Sequence, residues 1–416
     1  MLMIADDFTG AMDTGVKFST AGVRTKITTD TQIDFQKQSE EVLVLCAPTR
    51  HLPADQAYRV VRDIVRRATE ANIEFIFKKT DSALRGNIGA ELSAVLDGSG
   101  GDAICFIPAL PGMNRITVKG LHYIDGIPVD KSVFGQDPFE PVTASYIPDL
   151  LHQQCDTQVA LVDAEKVKGF RKEGPHIYVF DCASCEDMKT IVEALHQQGQ
   201  MKFLAGCAGL AESLPPYLGL TQNTGPMASI RASRMVVVCG SVNPISRAQM
   251  DYGERHGYTR VHIPIKQMLS EESLQEGSGD RLLSQLWAAY CQSNYLIIDA
   301  LQSEGGQVLK GTEELSLEEI RSRFSRQLGQ ILKALLQRGA KSRLMIVGGD
   351  TLLAFLEAIT CCELTPVREL QPGVVLSRVI WQGEELELVS KSGGFGEEDL
   401  LGILQEELSG MSAAVS

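Results

Sequence analysis

Short apolar runs alternate with longer amphipathic stretches along most of the chain. In the first half, apolar runs predict strands at residues 1–5, 42–46, 73–77, 103–108, 159–162, 177–180 and 202–205. Helical spacing is found between some of them, at residues 54–71 and 185–197. A second series predicts strands at residues 235–239, 295–299, 344–347, 374–381 and 385–389, with a long helix over residues 316–338. Such alternation is typical of a mostly parallel sheet covered by helices.

A polar segment interrupts the alternation and predicts a linker at residues 223–234, where a Gly-Pro pair stands in a stretch without apolar periodicity. At 416 residues the chain is longer than one hydrophobic core usually organises. We therefore predict an α/β protein of two domains, residues 1–222 and 235–416. Each is expected to have a mostly parallel sheet with helices on both faces.

The charge and composition of the chain exclude some classes of binding partner. The formal net charge of -14 argues against binding to nucleic acid or to an anionic membrane, because both need a basic surface. No apolar run approaches the roughly 20 residues of a membrane span, so we expect a cytoplasmic protein. The ten cysteines and seven histidines lack metal-ligand spacing. We expect reduced thiols and no metal held by protein side chains.

Charged residues follow two of the predicted strands in the first half. Asp6 and Asp7 come directly after the first strand, and a third carboxylate, Asp13, lies close behind. Either of the first two could cap a helix, which is a purely structural role. A carboxylate here could also bind a substrate hydroxyl or remove its proton. Arg50 follows the second strand and could bind a carboxylate through two hydrogen bonds, or lie solvated on the surface.

A second polar turn follows the strand predicted at residues 73–77. It carries two cations and two groups that can bind hydroxyls: Lys79, Asp81, Ser82 and Arg85. This set could hold a small acid that also carries hydroxyl groups. The structural alternative is a local network of salt bridges.

Three turns in the second half combine glycine with hydroxyl or acidic side chains. They contain Ser241 after one strand, Gly348, Gly349, Asp350 and Thr351 after another, and Gly394 in a glycine-rich segment. Backbone amides at such turns can approach phosphate closely. One glycine turn alone could be a simple connection, but three in one domain favour nucleotide binding. The chain has neither a G-x-x-x-x-G-K-[ST] motif nor a G-x-G-x-x-G motif after a strand.

The motifs together resemble the four-carbon acid sugar kinases. The resemblance rests on ADDFTGAMD, KKTDSALRGNIGAE and FIPALPGMNRITVKG in the first half, and on CGSVNPISRAQ, VGGDT and KSGGFG in the second. It implies that the first domain binds the sugar acid, that the second binds ATP with its Mg²⁺, and that phosphoryl transfer takes place in the cleft between them.

The resemblance also implies the site residues. Substrate would be bound by Asp6, Asp7, Arg50, Lys79, Asp81, Ser82 and Arg85. ATP would be bound by Ser241, Gly348, Gly349, Asp350, Thr351 and Gly394. Asp7 or Asp81 would act on the attacking hydroxyl, and the choice between them stays open.

Within that family the chain looks most like the members that convert D-threonate to D-threonate 4-phosphate. D-erythronate, L-threonate and 3-oxo-tetronate are the alternative substrates. A hydroxy-acid dehydrogenase of Rossmann type and a sugar-acid sensor without catalytic activity are the rival classes. A homodimer stays an open alternative to the monomer.

Overall fold

The computed structural model describes residues 1–137, 140–172, 174, 176–220, 234–241, 243–269, 278–300 and 315–413. The chain divides into two compact units, Met1–Thr224 and Gly225–Ser416. Both units are α/β with a mostly parallel sheet, so the predicted fold class is confirmed. Residues 223–233 of the predicted linker lie outside the described part of the chain.

The first unit contains a large parallel sheet and a small antiparallel one. Its strands are β1 (Leu2–Ala5), β2 (Thr25–Thr28), β3 (Val42–Cys46), β4 (Ile76–Lys79), β5 (Ala103–Ile107), β6 (Arg115–Val118), β7 (Leu121–Ile124), β8 (Ile127–Pro128), β9 (Gln158–Val162), β10 (His176–Phe180) and β11 (Phe203–Gly206). The parallel sheet has the order β2-β3-β1-β4-β11-β5-β10-β9, and β6, β7 and β8 form the small sheet.

The helices of the first unit are α1 (Phe8–Thr20), α2 (Ala54–Glu70), α3 (Ile88–Ser99), α4 (Ile147–His152), α5 (Cys185–Gln197) and α6 (Ala208–Ser213). The sequence predicted the limits of α2 and α5 closely. Every residue of β1 and β3 is buried, as expected for parallel strands covered on both faces.

The register of the first sheet brings several strand ends to one level. Ala5 at the end of β1 is paired with Cys46 at the end of β3 and with Lys79 at the end of β4. Gly206 at the end of β11 is also level with Lys79. The loops that leave these strands therefore start side by side.

The second unit begins with parallel strands and ends with antiparallel ones. Its strands are β12 (Met235–Cys239), β13 (Thr259–His262), β14 (Tyr295–Asp299), β15 (Arg343–Val347), β16 (Glu363–Gln371), β17 (Val374–Trp381) and β18 (Glu384–Lys391). Their order is β13-β14-β12-β15-β18-β17-β16, in which β17 is antiparallel to both of its neighbours. Cys239, Val347 and Lys391 end three adjacent strands at one level.

The helices of the second unit are α7 (Pro244–Arg255), α8 (Ile265–Leu269), α9 (Ser278–Gln292), α10 (Leu317–Gln337), α11 (Gly349–Ala358) and α12 (Leu400–Ala413). Helix α10 follows the predicted limits closely because Ser316 and Glu319 form a capping box at its start. None of the helices in the described ranges is long and apolar enough to cross a membrane.

The predicted set lacks β6, β7 and β8 of the small sheet, and also β2, β13 and β16. Strands β2, β13 and β16 contain polar residues at several positions, and β16 also contains Pro366. Strand β2 pairs with β3 and β13 pairs with β14, in each case across an intervening segment, whereas β16 forms a hairpin with β17. A scan for apolar runs does not detect such strands.

Helices α10 and α11 cross at a glycine, and this crossing fixes the helix that follows β15. A Cβ built on Gly329 would lie 2.7 Å from the carbonyl oxygen of Ala354 and 2.9 Å from the amide nitrogen of Phe355. Neither backbone atom can move without shifting α11. Glycine therefore permits this close packing.

We expect Gly329→Ala to lower the free energy of unfolding by about 1–3 kcal/mol, the usual cost of overpacking. This loss should exceed the gain in helix propensity, which is about 1 kcal/mol. Urea unfolding followed by circular dichroism measures the change. Gly169→Ala is the control, because its added Cβ would have no neighbour within 4 Å. Equal stability of the two variants would contradict the proposed close packing.

Candidate functional site

One guanidinium joins the two aspartates that follow β1. Arg50 donates from Nε to Asp6 Oδ2 at 2.7 Å and from Nη2 to Asp6 Oδ1 at 3.1 Å. Its Nη1 donates to Asp7 Oδ2 at 3.0 Å. Burial alone would raise the pKa of Asp6, but the positive charge of Arg50 holds that pKa below its usual value. Arg50 is therefore an organised ion-pair partner and not a solvated surface arginine.

Asp7 also has the capping role that the sequence allowed for one of these aspartates. Its Oδ1 accepts a hydrogen bond from the amide of Gly10 at 3.0 Å, which makes it the N-cap of α1. Its side chain is more exposed than that of Asp6. Asp7 can therefore meet a ligand while its position is fixed from two sides.

The turn after β4 contains a salt-bridge network. Arg85 donates from Nε to Asp81 Oδ2 at 2.8 Å and from Nη1 to Asp137 Oδ2 at 3.3 Å. Burial would raise the pKa of Asp81, but the charges of Arg50 and Arg85 hold it well below its usual range. Asp81 is thus an ionised hydrogen-bond acceptor over the whole physiological range.

Ser82 is held by the small antiparallel sheet. Arg115 Nη1 donates to Ser82 Oγ, and His122 Nε2 lies 2.9 Å from the carbonyl oxygen of Ser82. Burial lowers the pKa of His122 to about 4, so its imidazole is neutral at pH 7 and can donate this hydrogen bond. His122 Nδ1 lies 3.0 Å from Thr117 Oγ1. The predicted substrate set does not include Arg115 or His122, although Arg115 lies in the FIPALPGMNRITVKG motif and His122 follows it closely.

Two adjacent lysines at the end of β4 have different surroundings. Lys78 is fully buried, and its Nζ forms an ion pair with Glu91 at 2.9 Å. Lys79 is only 5% exposed, and its Nζ donates to the carbonyl oxygen of Thr80 at 2.9 Å. Among the described residues, no carboxylate oxygen lies within 4.0 Å of the Lys79 ammonium.

The Lys79 ammonium lies beside the start of α1. A Cβ built on Gly10 would be 2.8 Å from Lys79 Nζ, so glycine leaves room for the ammonium there. Lys79 also contributes to the electrostatic stabilisation of the Asp6 and Asp81 carboxylates. The structure thus brings together the predicted substrate residues of the first unit around one nearly buried cation.

The predicted nucleotide residues of the second unit also come together, at the ends of β12, β15 and β18. Gly348 has φ +112°, a value that favours glycine, and its amide donates to the carbonyl oxygen of Lys391 at 3.0 Å. Helix α11 starts at Gly349, so Gly348 and not Gly349 has the positive φ. The amides of Gly349, Asp350 and Thr351 have no acceptor among the described residues.

Small side chains let these three turns approach one another. A Cβ on Gly240 would collide with Thr351 Oγ1, and a Cβ on Gly394 would lie 3.3 Å from Asn243 Nδ2. Ser241 Oγ accepts from the amide of Asn243 at 3.2 Å. The result is a compact group of amides and hydroxyls, suited to an anion with several oxygens.

Asp350 differs from its neighbours because 55% of its side chain is exposed. Its Oδ2 pairs with Arg321 Nε at 2.9 Å. In the described ranges, no group of three or more His, Cys, Asp or Glu side chains is placed to hold a metal ion.

Comparisons with known proteins match both units. A model described as a sugar-binding N-terminal domain matches residues 1–214, and one described as a nucleotide-binding C-terminal domain matches residues 236–401. A crystal structure from Salmonella typhimurium LT2 is 21% identical and has a TM-score of 0.82, with 98% of each chain covered. That likeness concerns the fold.

Three curated relatives are kinases of four-carbon acids. The chain is 28% identical to a D-threonate kinase of Salmonella typhimurium, with 96% of each chain covered. It is 26% identical to a D-erythronate kinase of Heliobacterium modesticaldum (96% of this chain, 94% of the relative). It is also 26% identical to a 3-oxo-tetronate kinase of Pseudomonas savastanoi pv. phaseolicola (98% and 97%).

The resemblance inferred from the motifs is confirmed, since the sugar-binding model alone spans more than half of the 416 residues. With the nucleotide-binding model on the second unit and tetronate kinases as full-length relatives, the protein is a phosphotransferase that acts on a hydroxyl group. The chain belongs to the four-carbon acid sugar kinase family.

Proposed function

We propose that the protein phosphorylates D-threonate at its 4-hydroxyl, with ATP as the phosphoryl donor. The main support is the nearly buried Lys79 ammonium, which has no carboxylate oxygen within 4.0 Å in the described part of the chain and lies among groups suited to hydroxyls. A sugar acid supplies both a carboxylate and hydroxyls. The identity to a D-threonate kinase, 28% over 96% of the chain, favours that substrate among the tetronates.

Lys79 and Arg85 are assigned to the substrate carboxylate. Arg85 is part-exposed and keeps Asp81 through Nε at 2.8 Å and Nη2 at 3.2 Å. Its bond from Nη1 to Asp137 is the longest of the three, at 3.3 Å, so Nη1 is the donor assigned to a ligand. Most donors of Arg50 are occupied by Asp6 and Asp7. Its role is therefore to orient these carboxylates, which accept hydrogen bonds from substrate hydroxyls together with Ser82.

Asp7 is the better general base of the two aspartates considered. Its side chain is 28% exposed, against 11% for Asp81, so a substrate hydroxyl can reach it more readily. Arg50 and Arg85 hold the pKa of Asp81 well below its usual range, against the effect of burial, so Asp81 is a weak proton acceptor. In the proposed reaction, Asp7 takes the proton as the hydroxyl oxygen attacks the γ-phosphorus of ATP, and the bond to ADP breaks. Asp81 orients the substrate.

The second unit is assigned to ATP through Ser241, Gly348, Gly349, Thr351 and Gly394. Its amides and hydroxyls would bind phosphate oxygens at the start of α11. Mg²⁺ would enter with the nucleotide, because this ion keeps several waters and binds through phosphates and one or two carboxylates. The exposed Asp350 carboxylate at the first turn of α11 fits that requirement.

The first test is a coupled assay of ADP release with MgATP and a panel of four-carbon acids. We expect D-threonate to give the highest kcat/KM, ahead of D-erythronate, L-threonate and 3-oxo-tetronate, with a 4-phosphate as product. A parallel reaction with NAD in place of ATP is the control. A higher kcat/KM with another tetronate would identify that tetronate, and not D-threonate, as the substrate. No ADP release with any of them would refute the proposed activity.

Replacing Lys79 tests the binding of the substrate carboxylate. Lys79→Met should raise KM for the tetronate at least tenfold, because a charge-assisted hydrogen bond is worth about 1.5–3 kcal/mol. The KM for ATP should not change. Lys189→Met, an exposed lysine on α5, is the matched control. Equal losses for both substrates would assign Lys79 to the stability of the first unit and not to the carboxylate.

A further inference from the structure

Strand β18 ends in a lysine whose charged group is inside the second unit. Lys391 is 2% exposed, and its Nζ donates to the carbonyl oxygen of Gly393 at 2.8 Å and to Ser246 Oγ at 3.2 Å. An ammonium has three donors. These two bonds leave one N–H without an acceptor among the described residues.

The partners of Lys391 place its ammonium between two of the turns already assigned to the nucleotide. Ser246 is fully buried in α7, and its Oγ lies 2.5 Å from the carbonyl oxygen of Gly393 and 3.1 Å from Ser241 Oγ. The backbone carbonyl of Lys391 accepts the amide of Gly348 from the third turn. Lys391 therefore contacts the turns of Gly348 and Gly394 directly, and the turn of Ser241 through Ser246.

The ammonium has no anionic partner in the part of the unit that the structure describes. No carboxylate oxygen of the described residues lies within 4.0 Å of its Nζ. The buried Lys78 of the first unit shows the usual arrangement, with Glu91 at 2.9 Å. A buried charge without a counter-ion is energetically unfavourable, so buried charges are usually paired. A buried ammonium without such a pair is therefore a candidate for binding an anionic ligand.

The surrounding elements supply little charge to this group. Helix α7 offers the uncharged Ser246. Strand β12 offers Cys239, whose pKa is raised to about 12 by burial, so its thiol is neutral. Helix α11 offers Asp350, but that carboxylate is exposed and paired with Arg321 at 2.9 Å. Burial accordingly lowers the pKa of Lys391 to about 8.

We propose that the Lys391 ammonium binds a phosphate of the nucleotide directly and serves as its counter-ion. This inference rests on the proposed binding of ATP by the second unit and adds a residue to that site. It goes beyond the glycine turns, whose amides offer only partial charges. A point charge on a lysine is well suited to phosphate oxygens, which carry the negative charge of ATP.

Isothermal titration calorimetry of the full chain tests this role with two ligands, MgATP and adenosine. Lys391→Met should weaken MgATP binding at least tenfold at pH 7, because a charge-assisted hydrogen bond is lost. Adenosine lacks phosphates, so its affinity should be unchanged. Lys341→Met, an exposed lysine before β15, is the control and should bind both ligands as the wild type does.

Proton uptake gives a second readout that a purely structural lysine would not produce. In the nucleotide-free protein the Lys391 ammonium is half deprotonated at about pH 8, and a bound phosphate would raise its pKa. Binding should therefore take up a fraction of a proton that grows as the pH rises through about 8, and MgATP affinity should be constant well below that pH and fall above it. Titrations in buffers of different ionisation enthalpy measure this uptake.

Lys391→Arg keeps the charge at all pH values. It should bind MgATP without the proton uptake at pH 8.5 that we expect of the wild type. The inference is overturned if Lys391→Met binds MgATP as tightly as the wild type, or if it loses adenosine to the same extent as MgATP. A wild type that binds no MgATP would instead refute nucleotide binding by the second unit, and the inference with it.

Discussion

The register of the parallel strands is the constraint on which the rest of the structure depends. In the first unit, Ala5, Cys46 and Lys79 end three adjacent strands at one level, so loops from distant parts of the sequence start together. In the second unit, Cys239, Val347 and Lys391 do the same. Each sheet thus gathers polar groups at one edge, while its strands are buried in apolar surroundings. The two edges carry different chemistry: the first has full charges of both signs, and the second has backbone amides and hydroxyls with one buried ammonium.

Buried charge distinguishes the groups that hold the fold from the groups assigned to ligands. Lys78 and Glu91 form an ion pair at the end of β4, and most donors of Arg50 are occupied by Asp6 and Asp7. These ion pairs fix the positions of the side chains that form them. Lys79 and Lys391 have no carboxylate within 4.0 Å among the described residues. A sugar acid and a nucleotide each bring an anion, so one lysine in each unit would gain its counter-ion from a substrate. This division is consistent with the sugar-binding and nucleotide-binding models that match the two units.

The sequence predicted much of the fold because long apolar runs mark buried parallel strands, and it grouped the site residues because polar turns follow those runs. For Asp7 the sequence left both a helix-capping role and a role in substrate binding open, and the structure shows the capping hydrogen bond. The sequence did not predict hydrogen bonds between residues that are far apart along the chain. Asp137 reaches Arg85 from 52 positions away, and the carbonyl of Ser82 is met by His122 from a separate sheet. Lys391 was noticed only as part of a glycine-rich segment, since burial without a partner is not visible in a string of residues. The positive φ at Gly348 likewise depends on its hydrogen bond to β18.

We propose that each unit offers one nearly buried ammonium to one anionic ligand. A crystal structure of the protein with D-threonate and a non-hydrolysable ATP analogue would show both contacts. We expect a carboxylate oxygen of the sugar acid at about 2.7–2.9 Å from Lys79 Nζ. We expect a phosphate oxygen at about the same distance from Lys391 Nζ. Ligands bound elsewhere, or bound here with either ammonium still directed only at backbone carbonyls, would contradict it.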